Sequence, residues 1–304
     1  MLFGALSIAI GFICALFGLL HLLLALMSDS LLEAQALPVE PQSYVMGAML
    51  YFLLGGAFAW VGTGSVRKKR WVRPLMLTLA WTWLLSGVSV LAMMPGILAG
   101  ALDPSMTGVA LDDAVVGVVK LGLLGVGALF GVVLPALFVL VYQDRYLHMT
   151  CEVYDPESAW TERCPPAVLG LSVGLGACGV MALPMILRPV VPFFGWLATG
   201  WAGAGLLLIG AGLCLWLARK IYGLLLSGWW ATTIFLTLTG VSTWITLLRV
   251  APVDWYRAMG YPDELLQATA LGSTIPSWLT AVVTLLTVVY MVRIRKHFHT
   301  AEPD

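Results

Sequence analysis

Long apolar runs separated by short polar segments fill the chain almost from end to end. A helix that crosses a bilayer needs about 20 mostly apolar residues in succession. Eight runs meet that requirement, at residues 2–27, 44–65, 74–98, 114–142, 167–187, 195–218, 222–248 and 273–291. The pattern therefore predicts an all-α, polytopic bundle of about eight transmembrane helices, called spans 1 to 8 below.

Composition supports the same class of protein. Hydrophobic residues make up 60% of the chain and charged residues only 11%, whereas soluble domains carry about 25% charged residues. So few charges cannot cover a surface that faces water. The formal net charge is zero, which provides no field to attract nucleic acid, so we expect no nucleic-acid partner.

The basic residues between the spans predict the orientation. Twelve of the 16 Lys and Arg residues fall on one side: around residues 67–73, in the connection 143–166, at 219–220 and in the tail after residue 291. Basic residues concentrate on the cytoplasmic side of membrane proteins. We therefore expect both termini in the cytoplasm, with the twelve-charge side facing inward.

The two halves of the chain resemble each other. Residues 67–89 and 220–242 both start at a basic edge, carry Trp, and end in Ser/Thr-Gly-Val-Ser. The pattern predicts two four-helix units, residues 1–142 and 167–304, joined by a cytoplasmic connecting loop at 143–166. An even number of helices per unit gives the copies the same orientation. Chance similarity between apolar helices is the alternative.

Spans 7 and 8 carry hydroxyl side chains at helical spacing. The candidate polar faces are Thr239, Thr243 and Thr246 with the neighbouring Ser242 in span 7, and Ser273, Ser277, Thr280, Thr284 and Thr287 in span 8. A hydroxyl in lipid needs a hydrogen-bond partner, either on a neighbouring helix or on its own. The faces therefore predict either a contact between the two spans or a polar path for a solute.

Several chemistries are missing from the spans. No Asp or Glu lies within them, which disfavours proton pumping, and His21 alone cannot supply a bis-His haem. The chain has no H-E-x-x-H, G-x-S-x-G or P-loop motif. We therefore predict no catalytic residues and no cofactor. Lys120 is the one charge inside a span, and its side chain either reaches the outer interface or contacts an anionic lipid or substrate.

The loop at 143–166 contains a possible metal set. His148, Cys151 and Cys164, with His297 or His299 from the tail, offer the ligand types of a structural zinc site, although the cysteines are spaced more widely than in zinc knuckles. Without a metal, cytoplasmic thiols stay reduced. The loop itself is polar and of mixed charge, and it either docks a protein partner or caps the bundle.

A resemblance covers most of the chain. Its residues are Thr150-Cys151-Glu152, Asp155-Pro156, Trp160-Thr161, Arg163-Cys164-Pro165 and the segments 62–70 and 256–260. These strings resemble a family of uncharacterised multi-pass membrane proteins of bacteria. The resemblance implies a bacterial inner-membrane location, and it carries no assigned activity or site residues.

Two functions follow from these expectations. The first is a non-catalytic scaffold or accessory subunit of a membrane complex, with membrane lipids and a possible protein at 143–166 as partners. The second is a permease or binding protein for a small neutral or lipidic molecule, which would use the hydroxyl faces of spans 7 and 8. Structurally bound lipid fits both functions.

Overall fold

A computed structural model describes residues 2–27, 41–101, 112–157, 159–260 and 277–299. Within these ranges, eight helical segments are long and apolar enough to cross a membrane. The chain is thus a multi-pass integral membrane protein built as a helix bundle, as the apolar runs predict.

The first two spans form an antiparallel pair. They are α1 (Leu2–Leu26) and α2 (Pro41–Val66), which pack closely along their length. A Cβ atom placed on Gly11 would lie 2.8 Å from the carbonyl oxygen of Gly55. Only a residue without a side chain permits this approach, and such small-residue contacts are a common basis of helix association in lipid.

Span 4 contains a π-helical turn, and it packs against α3 (Val72–Ala101). It consists of α4 (Asp113–Ala128), the π turn (Leu129–Val133) and α5 (Leu134–Gln143). Pro135 has no N–H, and in a regular α-helix its ring would clash with the carbonyl of Gly131, four residues earlier. The N–H of Leu134 bonds instead to the carbonyl of Leu129, five residues earlier, and the helix widens at this point.

The close contact between α3 and span 4 lies at two glycines. A Cβ atom placed on Gly87 would overlap the carbonyl oxygen of Gly131 in the π turn. Gly127 and Gly131 are four residues apart in span 4, a small-residue spacing that predicts a packing face. The backbones touch directly at this point.

The connection between the halves holds regular structure. Within residues 143–166 the chain forms α6 (Arg145–Tyr154) and a 3-10 turn (Trp160–Glu162). The Asp144 side chain accepts a hydrogen bond from the N–H of Tyr146, which caps the start of α6. The predicted loop is therefore a short helix followed by a turn.

The second half begins with α7 (Pro166–Ala182), the 3-10 turn Pro184–Leu187 and two short strands. It continues with α8 (Gly200–Tyr222), α9 (Leu226–Arg249), α10 (Pro252–Ala258), α11 (Ser277–Ile294) and the 3-10 turn Arg295–His297. Helix α7 packs mainly on α8, and α9 on α11. The indole N–H of Trp229 donates to the carbonyl of Met291 at 2.8 Å, which ties α9 to α11.

The strands β1 (Val190–Phe193) and β2 (Trp196–Thr199) form an antiparallel hairpin before span 6. Phe194 and Gly195 make its two-residue turn with φ angles of 44° and 102°, as the hairpin turn geometry requires. The sequence predicts that span 6 starts at residue 195. In the structure the residues after the turn form β2, and α8 begins at Gly200.

Two hydroxyl groups of α9 hold the turn of this hairpin. The N–H of Phe194 donates to Ser242 Oγ at 2.9 Å, and the N–H of Gly195 donates to Thr246 Oγ1 at 3.0 Å. Both N–H groups point out of the hairpin and need a partner in an apolar environment. Part of the hydroxyl face of span 7 therefore has a structural use.

Candidate functional site

The two halves of the protein meet along an apolar groove between α3 and α7. Its volume is about 640 Å³, within the range of ligand pockets. Its lining is Pro74, Leu77, Thr78, Trp81, Thr82 and Leu85 on α3, Pro166, Ala167, Gly170, Leu171, Gly174, Leu175 and Cys178 on α7, and Leu236 and Tyr290 behind them. This feature is called the groove below.

Glycines on α7 determine the shape of the groove. A Cβ atom placed on Gly170 would contact the Thr78 side chain at 3.5 Å, whereas one placed on Gly174 would meet no atom within 4 Å. The two helices therefore lie in contact at Gly170 and leave space at Gly174. From Pro166 to Cys178 the helix rises by about 18 Å, roughly half of a hydrocarbon core about 30 Å thick. The groove thus has the length of one leaflet.

The hydroxyl groups that line the groove are already hydrogen bonded. Thr78 and Thr82 donate to carbonyls four residues earlier on α3, each at 2.9 Å. The Tyr290 hydroxyl donates to the carbonyl of Ala167 at 2.6 Å. The surface of the groove is therefore mostly apolar, and it suits an alkyl chain better than a polar solute.

A polar cleft opens where the groove ends at the starts of α3 and α7. Pro74 and Pro166 line both spaces, so the two are continuous. The cleft has a volume of about 480 Å³, and its other lining residues are Arg70, Arg73, Cys151, Glu152, Thr161, Glu162, Arg163, Cys164 and Pro165. This feature is called the cleft below, and it contains three arginines and two glutamates.

Arg70 forms ion pairs with both glutamates of the cleft. Its Nε donates to Glu162 Oε1 at 2.8 Å, and its Nη2 lies 3.3 Å from Glu152 Oε1. The backbone N–H of Arg70 donates to Asp155 Oδ2 at 3.1 Å, and Lys69 pairs with the other oxygen of that carboxylate. These two donors hold the pKa of Asp155 below its ordinary value, the backbone N–H having the larger effect.

The other two arginines of the cleft keep donors available. Arg73 uses Nε to donate to the carbonyl of Tyr142 at 3.0 Å. Within the part of the chain that the structure describes, its terminal nitrogens have no partner, and neither does the exposed guanidinium of Arg163. Since Arg70 occupies both glutamates, Arg73 and Arg163 give the cleft an excess of positive charge.

The structure brings together part of the predicted metal set. Cys151 and Cys164 are buried, and both line the cleft. Burial raises the pKa of both thiols. The His148 side chain lies outside the described residues, and His297 lies in the turn after α11 and is not among the residues that line the cleft. Among the described residues no three or more His, Cys, Asp or Glu side chains form a group that could hold a metal, and zinc stays a prediction.

The hydroxyl faces of spans 7 and 8 lie where α9 and α11 pack together. Within the described residues, Thr239, Thr243, Thr284 and Thr287 each donate to a carbonyl four residues earlier on their own helix. Thr246 also donates in this way while it holds the hairpin.

Gly240 of α9 lies directly against Thr284 of α11, because a Cβ atom placed on it would overlap that side chain. Ser277 and Thr280 are half-buried on α11, and Ser273 lies outside the described residues. The interhelical contact is present, and a polar path stays a prediction.

Lys120 lies on α4, a helix that contributes no residue to the groove or the cleft. Its side chain is half-buried. A contact between Lys120 and a lipid or anion stays a prediction, separate from the site between the halves.

Sequence reasoning did not identify the groove or the cleft, although their residues are visible in the pattern. Gly170 and Gly174 indicate a packing face, and only Gly170 is in contact with α3. Arg73 and Arg163 contribute to the charge bias that predicts orientation. These residues share one sequence pattern, an arginine within a few residues of the proline that starts a span. The pattern occurs at Arg73-Pro74 and again at Arg163 and Pro166.

Arg70→Ala is expected to loosen α6 and the turn Trp160–Glu162, which Arg70 holds through Glu152 and Glu162. Losing several ion pairs that are each worth little should raise the maleimide alkylation rate of Cys151 and Cys164 by about fivefold. The measurement uses a background in which the other three cysteines are replaced by Ala. Arg67→Ala is the matched control, because the Arg67 side chain is exposed and has no partner among the described residues. Equal rates in both variants would contradict the structural role of Arg70.

Comparison with models of protein families, with curated proteins and with solved structures found no match. The resemblance to uncharacterised bacterial membrane proteins stays a prediction, and the function has to be argued from the groove and the cleft.

Proposed function

We propose that this protein is a non-catalytic bacterial inner-membrane protein that binds an amphipathic lipid, with the alkyl chain in the groove and the polar headgroup in the cleft. The main support for this proposal is that the groove and the cleft are continuous at Pro74 and Pro166. An apolar space as long as one leaflet that ends in a basic space matches the two parts of such a molecule.

The orientation of the bundle selects the leaflet. The concentration of basic residues around the cleft favours a cytoplasmic position for this end of the bundle and for both termini. The bound lipid then belongs to the cytoplasmic leaflet, and α3 and α7 both start at the cytoplasmic surface.

Packing within the halves supports a tandem repeat. The first half pairs span 1 with span 2 and span 3 with span 4, and the second half pairs spans 5 with 6 and 7 with 8. The two glycines of the repeated Ser/Thr-Gly-Val-Ser strings also have matching positions. Gly87 lies against span 4, and Gly240 lies against span 8. In this arrangement the groove lies between the third span of one unit and the first span of the next.

The same geometry bears on the two alternatives from the sequence. A scaffold that docks proteins through 143–166 would use the charges there, and three of them, Glu152, Asp155 and Glu162, are already paired with Arg70 and Lys69 of the same chain. A permease lined by the faces of spans 7 and 8 needs open hydroxyl groups, whereas α9 and α11 pack together at Gly240 and Thr284. The groove, by contrast, has a volume of about 640 Å³ between α3 and α7.

The energetics of binding inside a membrane also bear on the site. An alkyl chain gains little by moving from lipid into an apolar groove, because lipid tails are as apolar as the groove walls. Selective affinity therefore has to come from the headgroup end, where charges act near the interface. A groove without a polar end would collect lipid without discrimination.

The experiment that tests the proposal uses a phospholipid with a photoactivatable diazirine in its acyl chain. The purified protein is washed extensively in mild detergent, and native mass spectrometry counts the lipids that remain. We expect one retained lipid per chain, with photolabel concentrated on peptides that contain 74–85 and 166–178. Label spread evenly over the exposed faces of α1 and α11, or a complete loss of lipid, would contradict the proposal.

A further inference from the structure

The cleft has the composition of a site for one phosphate group. We infer that the headgroup recognised in the cleft is a phosphate ester, held by Arg73, Arg163 and the hydroxyl of Thr161. This inference rests on the proposed lipid-binding function and specifies the ligand class. The shared chemistry, a phosphate, could come from a phospholipid or from a soluble phosphate, and the experiment below separates these sources.

Charge gives the first step of the argument. Of the three arginines in the cleft, Arg70 is committed to Glu152 and Glu162. Arg73 and Arg163 retain guanidinium nitrogens without partners among the described residues. Two guanidinium groups with available donors favour phosphate, because they can donate several charge-assisted hydrogen bonds to its oxygens.

An unsatisfied hydroxyl gives the second, independent step. Thr161 lines the cleft and is only 2% exposed, and its Oγ1 has no hydrogen-bond partner within the described structure. Buried polar atoms are nearly always paired in folded proteins, and an exception needs an explanation. Oγ1 itself has almost no exposed surface, so a phosphate oxygen in the cleft would accept a hydrogen bond from it after rotation of the Thr161 side chain, and the hydroxyl would then be paired.

The start of α7 gives the third step. Pro165 and Pro166 line the cleft at the N-terminus of this 17-residue helix, and no side chain caps it. Neither proline has an N–H to donate, so the helix contributes its dipole, which favours an anion at this end. The uncapped helix start, the two arginines and the Thr161 hydroxyl all border the same space.

Groove and cleft together favour a lipid as the source of the phosphate. A soluble phosphate would use the cleft alone and leave the adjoining groove without a role. A phospholipid with a small headgroup uses both spaces, because its ester phosphate lies directly next to its acyl chains. The favoured ligand class is therefore an anionic lipid with an accessible phosphate.

The test is a competition measured by native mass spectrometry. The wild-type protein in detergent is offered equal amounts of phosphatidic acid and of diacylglycerol with the same acyl chains. We expect phosphatidic acid to occupy the protein at least about tenfold more than diacylglycerol, a difference that charge-assisted hydrogen bonds readily produce. Equal occupancy would overturn the phosphate assignment and leave lipid binding in place. Retention of neither lipid would overturn the proposed function and the inference with it.

Three variants separate recognition from folding. Arg163→Gln and Thr161→Val are expected to reduce the preference for phosphatidic acid several-fold while diacylglycerol still binds. Thr161→Val also removes an unpaired buried hydroxyl, so its thermal stability should stay equal to or exceed that of the wild type. Arg145→Gln is the matched control, because Arg145 is exposed on α6 and does not line the cleft. A preference that Arg163→Gln and Thr161→Val leave unchanged would overturn the assignment of these residues.

Inorganic phosphate identifies the source of the group. Phosphate at about 10 mM should leave the retained phosphatidic acid in place, since the lipid is also held through its chains. Displacement of the lipid by phosphate at this concentration would assign the cleft to a soluble ligand and overturn the lipid source.

Discussion

Gly174→Trp is expected to remove the bound lipid from the purified protein while the bundle stays folded. No atom lies within 4 Å of a Cβ atom placed at Gly174, so the indole can enter the groove without displacing the backbone. It would then occupy the space in which the alkyl chain lies. Replacing Gly within a helix also removes a conformational cost of about 0.5 kcal/mol relative to a residue such as Trp, which favours folding of the variant.

The lipid-bound fraction in native mass spectra should fall at least about tenfold, which corresponds to 1.4 kcal/mol or more of lost binding free energy. Gly212→Trp is the matched control. Gly212 lies on the exposed face of α8, where a Cβ atom also meets nothing within 4 Å, and it lines none of the spaces described above. Retention of lipid by Gly174→Trp at the wild-type level would show that the lipid binds elsewhere.

Gly87→Leu is expected to disrupt the first half of the protein. Gly87 lies against the backbone of Gly131, and a Cβ atom would overlap the carbonyl oxygen there. The obstacle is backbone, which cannot rotate away as a flexible side chain can. Overpacking in a well-packed interior costs about 1–3 kcal/mol, and we expect this variant to exceed that range because α3 and span 4 must separate.

The protein is heated to a series of temperatures, and size-exclusion chromatography then measures the fraction that remains monodisperse at each one. Gly122→Leu is the matched control on α4, where a Cβ atom has no neighbour within 4 Å. It should melt with the wild type. A melting temperature of Gly87→Leu within about 2 °C of the wild type would contradict the close contact, because a loss of more than about 3 kcal/mol should lower it by several degrees.

The eight spans can be predicted from the sequence because bilayer thickness imposes a length that apolar runs display directly. The hairpin before α8 cannot be predicted in the same way. Its residues Val190–Thr199 are as apolar as a span, and the local turn at Phe194 and Gly195 depends on hydroxyl groups from α9, some 50 residues later. Hydrophobicity alone does not distinguish a short strand pair from the first turns of a helix.

The site between the halves depends on tertiary contacts in the same way. The spacing of Gly170 and Gly174 predicts a helix contact, but the contact ends between them because α3 diverges from α7. The sequence does not distinguish the three arginines of the cleft, Arg70, Arg73 and Arg163, because each counts as one basic residue at the same side of the membrane. Their roles differ only because Glu152 and Glu162 lie against Arg70 in the folded chain.

The π turn Leu129–Val133 changes the direction in which the side chains of α4 point around the axis of span 4. One additional residue within a helical turn rotates the preceding segment by about 100° around the helix axis. A helical wheel drawn with a constant step through the whole span therefore assigns Lys120 to the wrong side relative to α5. The direction in which the Lys120 side chain points depends on a proline fifteen residues further along the chain, at Pro135.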